Sequence, residues 1–148
     1  MKITRNEIKR YENEARRYLK MYNIDEELVF DHFGLQTLNA DEYNGLKNYF
    51  IEIGIFDGEI IYHNRRLGKF ILGNEQRNKL ELIEPHPGEV FLQIDCYVEH
   101  VAFIVPNLSK YFGMFQDRIL STFSIGESRG FKIQGSSILQ IELRSNEF

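Results

Sequence analysis

The order of residues predicts an α+β chain made of two repeated βαβββ units, preceded by an extra helix. Three observations carry this expectation. The first twenty residues have helical periodicity, a strand–helix–three-strand order then occurs twice, and matching residues occupy the first and last strands of both runs.

Size and composition are compatible with it. A chain of 148 residues predicts one domain spanning 1–148 and is long enough to bury a proper core. Hydrophobic residues make up 43%, which excludes wholesale disorder. A net charge of −4 argues against a general nucleic-acid binder, which needs a basic field to release counterions. No window approaches ~18 uninterrupted apolar residues, so no membrane span is expected. The opening MKITRNEIKRYENEARRYLK lacks the apolar core of a signal peptide. Cys96 is the only cysteine, so no intrachain disulfide is possible and a reducing, cytoplasmic location is expected.

Residues 4–22 read as an amphipathic helix. Thr4 and Glu7 have capping-box spacing, and Ile8, Tyr11, Ala15, Tyr18, Leu19 and Tyr22 form one stripe. A helix packed on the domain is expected, with a partner-binding helix as the alternative. The first unit is expected at 28–94. Residues 28–38 are apolar on both faces, as in a covered strand. Asn39 caps a helix with Glu42 at the capping-box position, and Tyr43, Leu46, Tyr49, Phe50 and Ile53 mark its buried stripe. Gly54 sits where a left-handed C-terminal residue belongs. Short strands are expected at 55–62, 67–73 and 78–84. His63-Asn64-Arg65-Arg66 and Gly73-Asn74 supply the turns.

Pro85-His86-Pro87-Gly88 breaks the chain, and the second unit follows at 97–144. YVEHVAFIV at 97–105 is a strand. Pro106 and Asn107 open a helix with Leu108, Tyr111, Phe112, Phe115 and Ile119 on one face. Strands are expected at about 122–125, 130–134 and 138–144.

Superposing the two runs places DHFGLQTLN at 31–39 over EHVAFIVPN at 99–107, and LELIEP at 80–85 over IELRSN at 141–146. Each half then has a histidine in its first strand (His32, His100) and a glutamate in its last (Glu81, Glu142). Alternation puts Leu139, Ile141 and Leu143 on one face of the last strand and Gln140, Glu142 and Arg144 on the other. If helices cover the apolar faces, both histidines and both glutamates turn to the opposite side of the sheet.

A duplicated unit with this motif placement resembles the vicinal oxygen chelate superfamily, which includes glyoxalase I, methylmalonyl-CoA epimerase, extradiol dioxygenases and bleomycin-resistance proteins. The resemblance covers about residues 28–144. It implies a cup-shaped open barrel around a divalent metal, with ligands His32, Glu81, His100 and Glu142. The runs DHFGL, LELIEP and EHVAF are also similar to the YecM-like branch of bacterial proteins. Two imidazoles and two carboxylates suit zinc, nickel, cobalt, manganese or iron, and two negative charges balance a divalent ion.

Each residue also has a plainer reading. A lone histidine is more often a hydrogen-bonded structural group, and Glu142 alone would be a solvated residue on a half-exposed strand. The repeat favours the ligand reading. Glu81 is preferred to Glu84, which shares the helix-covered face of Leu80 and Leu82. Asp31 and Glu99 read as strand-edge surface groups, His63 as a solvated hairpin tip, His86 as a surface residue and Cys96 as packing. Arg144 shares a face with Glu142 and is a candidate for an anionic substrate group, although solvent exposure is the stronger expectation. The chain has no phosphate-binding loop, no G-x-S-x-G elbow and no paired C-x-x-C motif.

The resemblance therefore implies a metal-dependent isomerase or lyase acting on a small substrate with adjacent oxygens, as a monomer or homodimer, with Glu81 or Glu142 moving a proton. The alternatives are a non-catalytic small-molecule-binding protein of the same fold, an extradiol-type dioxygenase, and a partner protein that uses the 4–22 helix.

Overall fold

The computed structural model describes residues 5–73 and 79–148. Helix α1 (Arg5–Met21) forms where the apolar stripe runs. It buries Ile8, Ala15 and Leu19 and half-buries Tyr11, Tyr18 and Tyr22. Thr4 of the expected capping box lies outside the described residues. The helix ends on Asn23 at φ +66°, with Ile24 N–H bonded to the Leu19 carbonyl and Asn23 N–H to the Lys20 carbonyl. That pair of bonds is a Schellman closure, and asparagine tolerates its left-handed position.

The first repeat contains β1 (Val29–Gln36), α2 (Ala40–Ile53), β2 (Gly54–Tyr62), β3 (Arg65–Leu72) and β4 (Lys79–Ile83). The second contains β5 (Tyr97–Ile104), α3 (Leu108–Met114), a single 3-10 turn (Gln116–Arg118), β6 (Ile119–Ile125), β7 (Ser128–Gln134) and β8 (Gln140–Arg144). By contacts the chain divides into two compact units. One is His32–Glu99; the other joins the N-terminal residues through Asp31 to His100–Phe148.

The two repeats have the same topology. In the first, β1 lies parallel to β4, β4 antiparallel to β3, and β3 antiparallel to β2. In the second, β5 lies parallel to β8, β8 antiparallel to β7, and β7 antiparallel to β6. A parallel pair needs a long crossover, and in each repeat the helix and two intervening strands supply it.

Register decides what each face carries. Phe33 and Leu35 of β1 stand beside Leu80 and Leu82 of β4, with Phe70 of β3 opposite Leu80. All five are buried, and Tyr43 and Phe50 of α2 are buried with them; the Phe50 and Phe70 rings lie 5.6 Å apart. Each such side chain contributes about 1.5–3 kcal/mol through burial. In the second unit Val101, Phe103, Ile141, Leu143, Phe131 and Ile133 form the equivalent face, joined by Tyr111 and Phe115. Asn39 and Asn107 cap their helices as expected, accepting from Glu42 N–H (2.8 Å) and Lys110 N–H (3.2 Å).

Several expectations need correcting. Gly54 is extended (φ −144°), not left-handed, and opens β2; a Cβ there would meet the Ile71 carbonyl at 2.5 Å. Close approach of β3, not a helix cap, is what requires glycine. Tyr49 and Ile53 are exposed, so the buried stripe of α2 is narrower than its apolar residues suggest. Helix α3 is half the length of α2, 7 residues against 14, and Ile119 begins a strand. The first hairpin turns on His63 and Asn64 alone, both at positive φ, the geometry of a tight two-residue turn. Arg65 and Arg66 already belong to β3. Asn74 and residue 78 lie outside the described residues. Among those described, no helix is long and apolar enough to cross a membrane.

The N-terminal helix packs on the second unit, which favours the packing reading over the partner-binding one. Tyr22 donates its hydroxyl to the Gln134 carbonyl (2.8 Å) and sets its ring edge-on to Phe115 (5.5 Å). The Arg16 guanidinium lies over the Phe103 ring at 5.0 Å.

Candidate functional site

In the first unit, His32 stands beside Lys79 and Gly34 beside Glu81 in the β1–β4 register. Partners in a parallel pair share a face, so His32 and Glu81 project to the side opposite Phe33 and Leu80. Both are buried: His32 is 0% exposed and Glu81 8%. Their ligand atoms lie within 4.8 Å of one another. In the second unit, His100 stands beside Gln140 and Ala102 beside Glu142. His100 is 0% exposed and Glu142 4%, and Nε2 of the histidine lies 3.7 Å from Oε1 of the glutamate.

Each unit thus presents one buried imidazole–carboxylate pair at the same place in the repeat. A carboxylate taken out of water is costly unless a cation or hydrogen bonds compensate it. Imidazole nitrogen beside carboxylate oxygen is the donor chemistry of divalent first-row metal sites, so these residues fit such an ion.

Glu142 is not the half-solvated strand residue that alternation alone suggests. Nor is Arg144 exposed: it is 4% exposed and committed within its own unit. Its Nη1 donates to Glu142 Oε2 at 3.0 Å, its Nε donates to the Asn146 carbonyl at 2.6 Å, and its guanidinium lies between the rings of Phe123 (5.2 Å) and Phe148 (5.6 Å). Asp31, expected at the surface, is also buried. Its carboxylate accepts from Phe148 N–H (2.9 Å) and lies 4.0 Å from Arg144 Nε. The counter-charge on Arg144 and the chain segment after β8 bring Asp31 inside, and neither is visible from strand periodicity.

The remaining candidates fall where expected or nearby. Glu84 turns away from the Glu81 face and takes the Arg66 guanidinium at 2.6 Å, which holds its carboxyl below the ordinary value. His63 is exposed at the hairpin tip, and His86 is half-buried with Nδ1 3.1 Å from the His63 carbonyl. Cys96 is buried, and burial pushes its thiol up, away from reactivity.

Sequence reasoning missed two repeated features on the site face. A small residue follows each histidine by two (Gly34, Ala102) and stands beside each glutamate in the strand register. A lysine stands opposite each glutamate on the neighbouring strand: Lys69 faces Glu81 and Lys132 faces Glu142. The small residues share one spacing from their histidines, whereas the lysines are seen only from the strand register.

No family model matches the chain, and no curated protein matches it. Solved structures do. A protein from a structural-genomics effort superposes with a TM-score of 0.72 at 14% identity, covering 96% of this chain and 85% of that one. Methylmalonyl-CoA epimerase, solved with methylmalonyl-CoA, gives 0.62 at 16% identity over 82% of this chain and 96% of that one. Glyoxalase I from Zea mays gives 0.56 at 14% identity over 80% of this chain and 43% of that one. Shared topology in both repeats and these superpositions lead to one conclusion: the chain has the vicinal oxygen chelate fold.

Proposed function

We propose that the chain is a metal-dependent enzyme of the vicinal oxygen chelate type, with isomerase or lyase chemistry on a small substrate bearing adjacent oxygens. The observation that carries this reading is the repeated buried pair, His32 with Glu81 and His100 with Glu142. In this reading the two pairs serve one divalent ion. The histidines bind as neutral imidazoles, and the glutamates balance the charge. When bound, the ion supplies Lewis-acid stabilisation of an oxyanion. The chain's own task is to exclude water from the donors and to move a proton. We assign that proton to Glu81 or Glu142, since general-base catalysis needs a carboxylate within hydrogen-bond reach of the reacting carbon.

Fold neighbours include an epimerase, a glyoxalase and catechol-type dioxygenases, so the fold admits this chemistry without choosing it. The narrower similarity to the YecM-like branch rests on the runs DHFGL, LELIEP and EHVAF. A cytoplasmic location fits the single buried thiol.

Titration calorimetry with zinc, nickel, cobalt and manganese tests the reading. About one ion should bind per chain. With a substrate found by screening, one of Glu81→Gln and Glu142→Gln should keep the metal yet lose turnover by ~10²–10⁴-fold. Absence of binding by all four metals would sink the proposal.

A further inference from the structure

Two features of the first unit lack a partner. After Pro85-His86-Pro87-Gly88 the chain runs through residues 89–95 outside any helix or strand. Burial alternates along this run. Phe91 and Gln93 are half-buried, whereas Val90, Leu92 and Ile94 are 89%, 98% and 92% exposed. A single exposed aliphatic residue is ordinary, but three on one side of a short run form a patch, and such patches mark contacts. Among the described residues, no backbone–backbone hydrogen bond falls on 90–95. The other feature is β2, the edge strand of its repeat, which pairs only with β3. A bulge between Phe56 and Glu59 leaves 59–62 as the regular part of its free edge, and Ile60 and Ile61 are exposed there. The matching edge strand of the second unit, β6, instead exposes Ser121, Thr122 and Ser124, with Leu120 as its large apolar exception. Exposed polar residues blunt an edge against pairing; Ile60 and Ile61 do not.

Both features lie at one end of the unit. His86, at the start of the run, has Nδ1 3.1 Å from the carbonyl of His63 in the β2–β3 turn, and Glu89 Oε1 accepts from His86 N–H at 2.9 Å. Their charges are complementary. Glu84 takes Arg66, but Arg65, which stands opposite Tyr62 in the register, has a buried Nε with no hydrogen bond and no ion pair among the described residues. Glu89 and Asp95 are exposed and bracket the apolar run, so a carboxylate reaches the Arg65 end of β2 whichever way the run lies along it.

We propose that this end of the first unit is a self-association surface, on which the 89–95 run of one copy docks along the free β2 edge of a second copy and receives the reciprocal contact. An added strand supplies main-chain hydrogen bonds to the edge and packs alternate side chains, which is what the exposure pattern of the run offers. Because run and edge share one end, a single twofold axis satisfies both copies and closes the assembly at a dimer. Burying an aliphatic side chain removes ~60–120 Å² of apolar surface, so Val90, Leu92, Ile94, Ile60 and Ile61 bring on the order of 400 Å² per copy. A standard interface buries ~800 Å² per partner, a little over half of it apolar, so the area matches what a dimer needs. None of these residues belongs to the proposed metal site.

Sedimentation equilibrium of the full chain is the test. The parent should dimerise with a Kd of about 1–100 µM. Leu92→Asp changes a side chain that is 98% exposed, so the fold is kept, and it should weaken the dimer by ~30-fold or more. Ile61→Asp should do the same from the edge. Mixing the two variants is the sharper readout. The Ile61→Asp chain keeps its run and the Leu92→Asp chain keeps its edge, so together they retain one intact contact and should associate ~10-fold more tightly than either alone. If Ile61→Asp does not fold, Ile61→Ser takes its place in the mixture. A parent that stays monomeric through that concentration range overturns the proposal. So does a dimer that survives either substitution. A mixture no tighter than its components means that run packs against run, and docking on β2 is then wrong.

Discussion

The two repeats share a backbone and differ in what they hang on it. Thr37 N–H bonds the Ile83 carbonyl, and at the matching place Val105 N–H bonds the Arg144 carbonyl, both at 2.9 Å. Yet the first repeat carries a 14-residue helix and the second a 7-residue one. In the second unit α1 packs as well, so the shorter α3 is not the only helix there. The position two residues after the glutamate is apolar in the first (Ile83) and cationic in the second (Arg144). The shared topology keeps the backbone hydrogen bonds alike in both repeats, because every buried backbone group must be satisfied in each. Side chains are free to diverge wherever a different partner satisfies them.

The histidines should be where the repeats are least different. His32→Ala and His100→Ala each remove one buried imidazole at equivalent positions. Each should weaken zinc or cobalt binding by ~10²-fold or more, at or beyond the upper end of outer-shell losses. Calorimetry checks it, and a loss confined to one variant would break the equivalence of the pairs.

Two residues beyond the glutamates, the repeats should fail in different ways. Arg144→Leu leaves Glu142 and Asp31 buried near a lost cation and should cost about 3–5 kcal/mol in urea unfolding. Ile83→Ala leaves a cavity and should cost about 2–5 kcal/mol. The distinguishing measurement is a second substitution. Glu142→Leu added to Arg144→Leu should recover part of the loss, because replacing both members of a buried pair is far less damaging than removing one. A double variant no better than the single would mean the Arg144 effect is one of packing.

What the sequence made legible follows the same division. Strand alternation and asparagine caps are local, and they placed β1, α2, β5 and β8 within a few residues and the start of α3 at Asn107, though not its end. Gly54 was misread because its constraint comes from Ile71 on another strand. Asp31 and Arg144 were misread because burial of a charge depends on partners distant in sequence, here each other and Phe148. His32, Glu81, His100 and Glu142 could be proposed together because the repeat supplies two copies of one pattern, whereas either copy alone would have read as an ordinary strand. The lysines opposite the glutamates needed the strand register, which periodicity does not give.

Helix α1 belongs to the second unit, and a mild substitution just past its end measures a contact there. Tyr22→Phe deletes the hydroxyl that meets the Gln134 carbonyl while keeping the ring against Phe115. The expected loss is about 0.5–1.5 kcal/mol, the usual net value of one such bond. Hydrogen exchange should show faster opening at β7 while β3 is unchanged. Equal loosening of both strands would mean that α1 supports more than the unit it touches.

The smallest effect comes from a clamp built twice with different side chains. After β4, Glu84 N–H bonds the Arg66 carbonyl and Arg66 N–H bonds Glu84 Oε1, both at 3.0 Å. After β8, Ser145 N–H bonds the Arg129 carbonyl at 2.9 Å and Arg129 N–H bonds Ser145 Oγ at 3.1 Å. The first repeat adds the Arg66 guanidinium on Glu84 at 2.6 Å, and a serine hydroxyl cannot take that charge. Glu84→Ser therefore converts one clamp into the other and isolates the ion pair. At neutral pH the loss should be about 1 kcal/mol at most, since solvent reaches both partners. Its pH dependence has a definite sign. Arg66 lowers the Glu84 carboxyl in the folded chain below its unfolded value near ~4.3, so the stabilisation is complete above that value and disappears as pH falls through the folded one. The parent and Glu84→Ser should therefore differ in urea midpoint at pH 7 and converge in acid. A difference that persists unchanged below both values would assign the loss to packing of the glutamate side chain, and the two clamps would then differ in shape rather than charge.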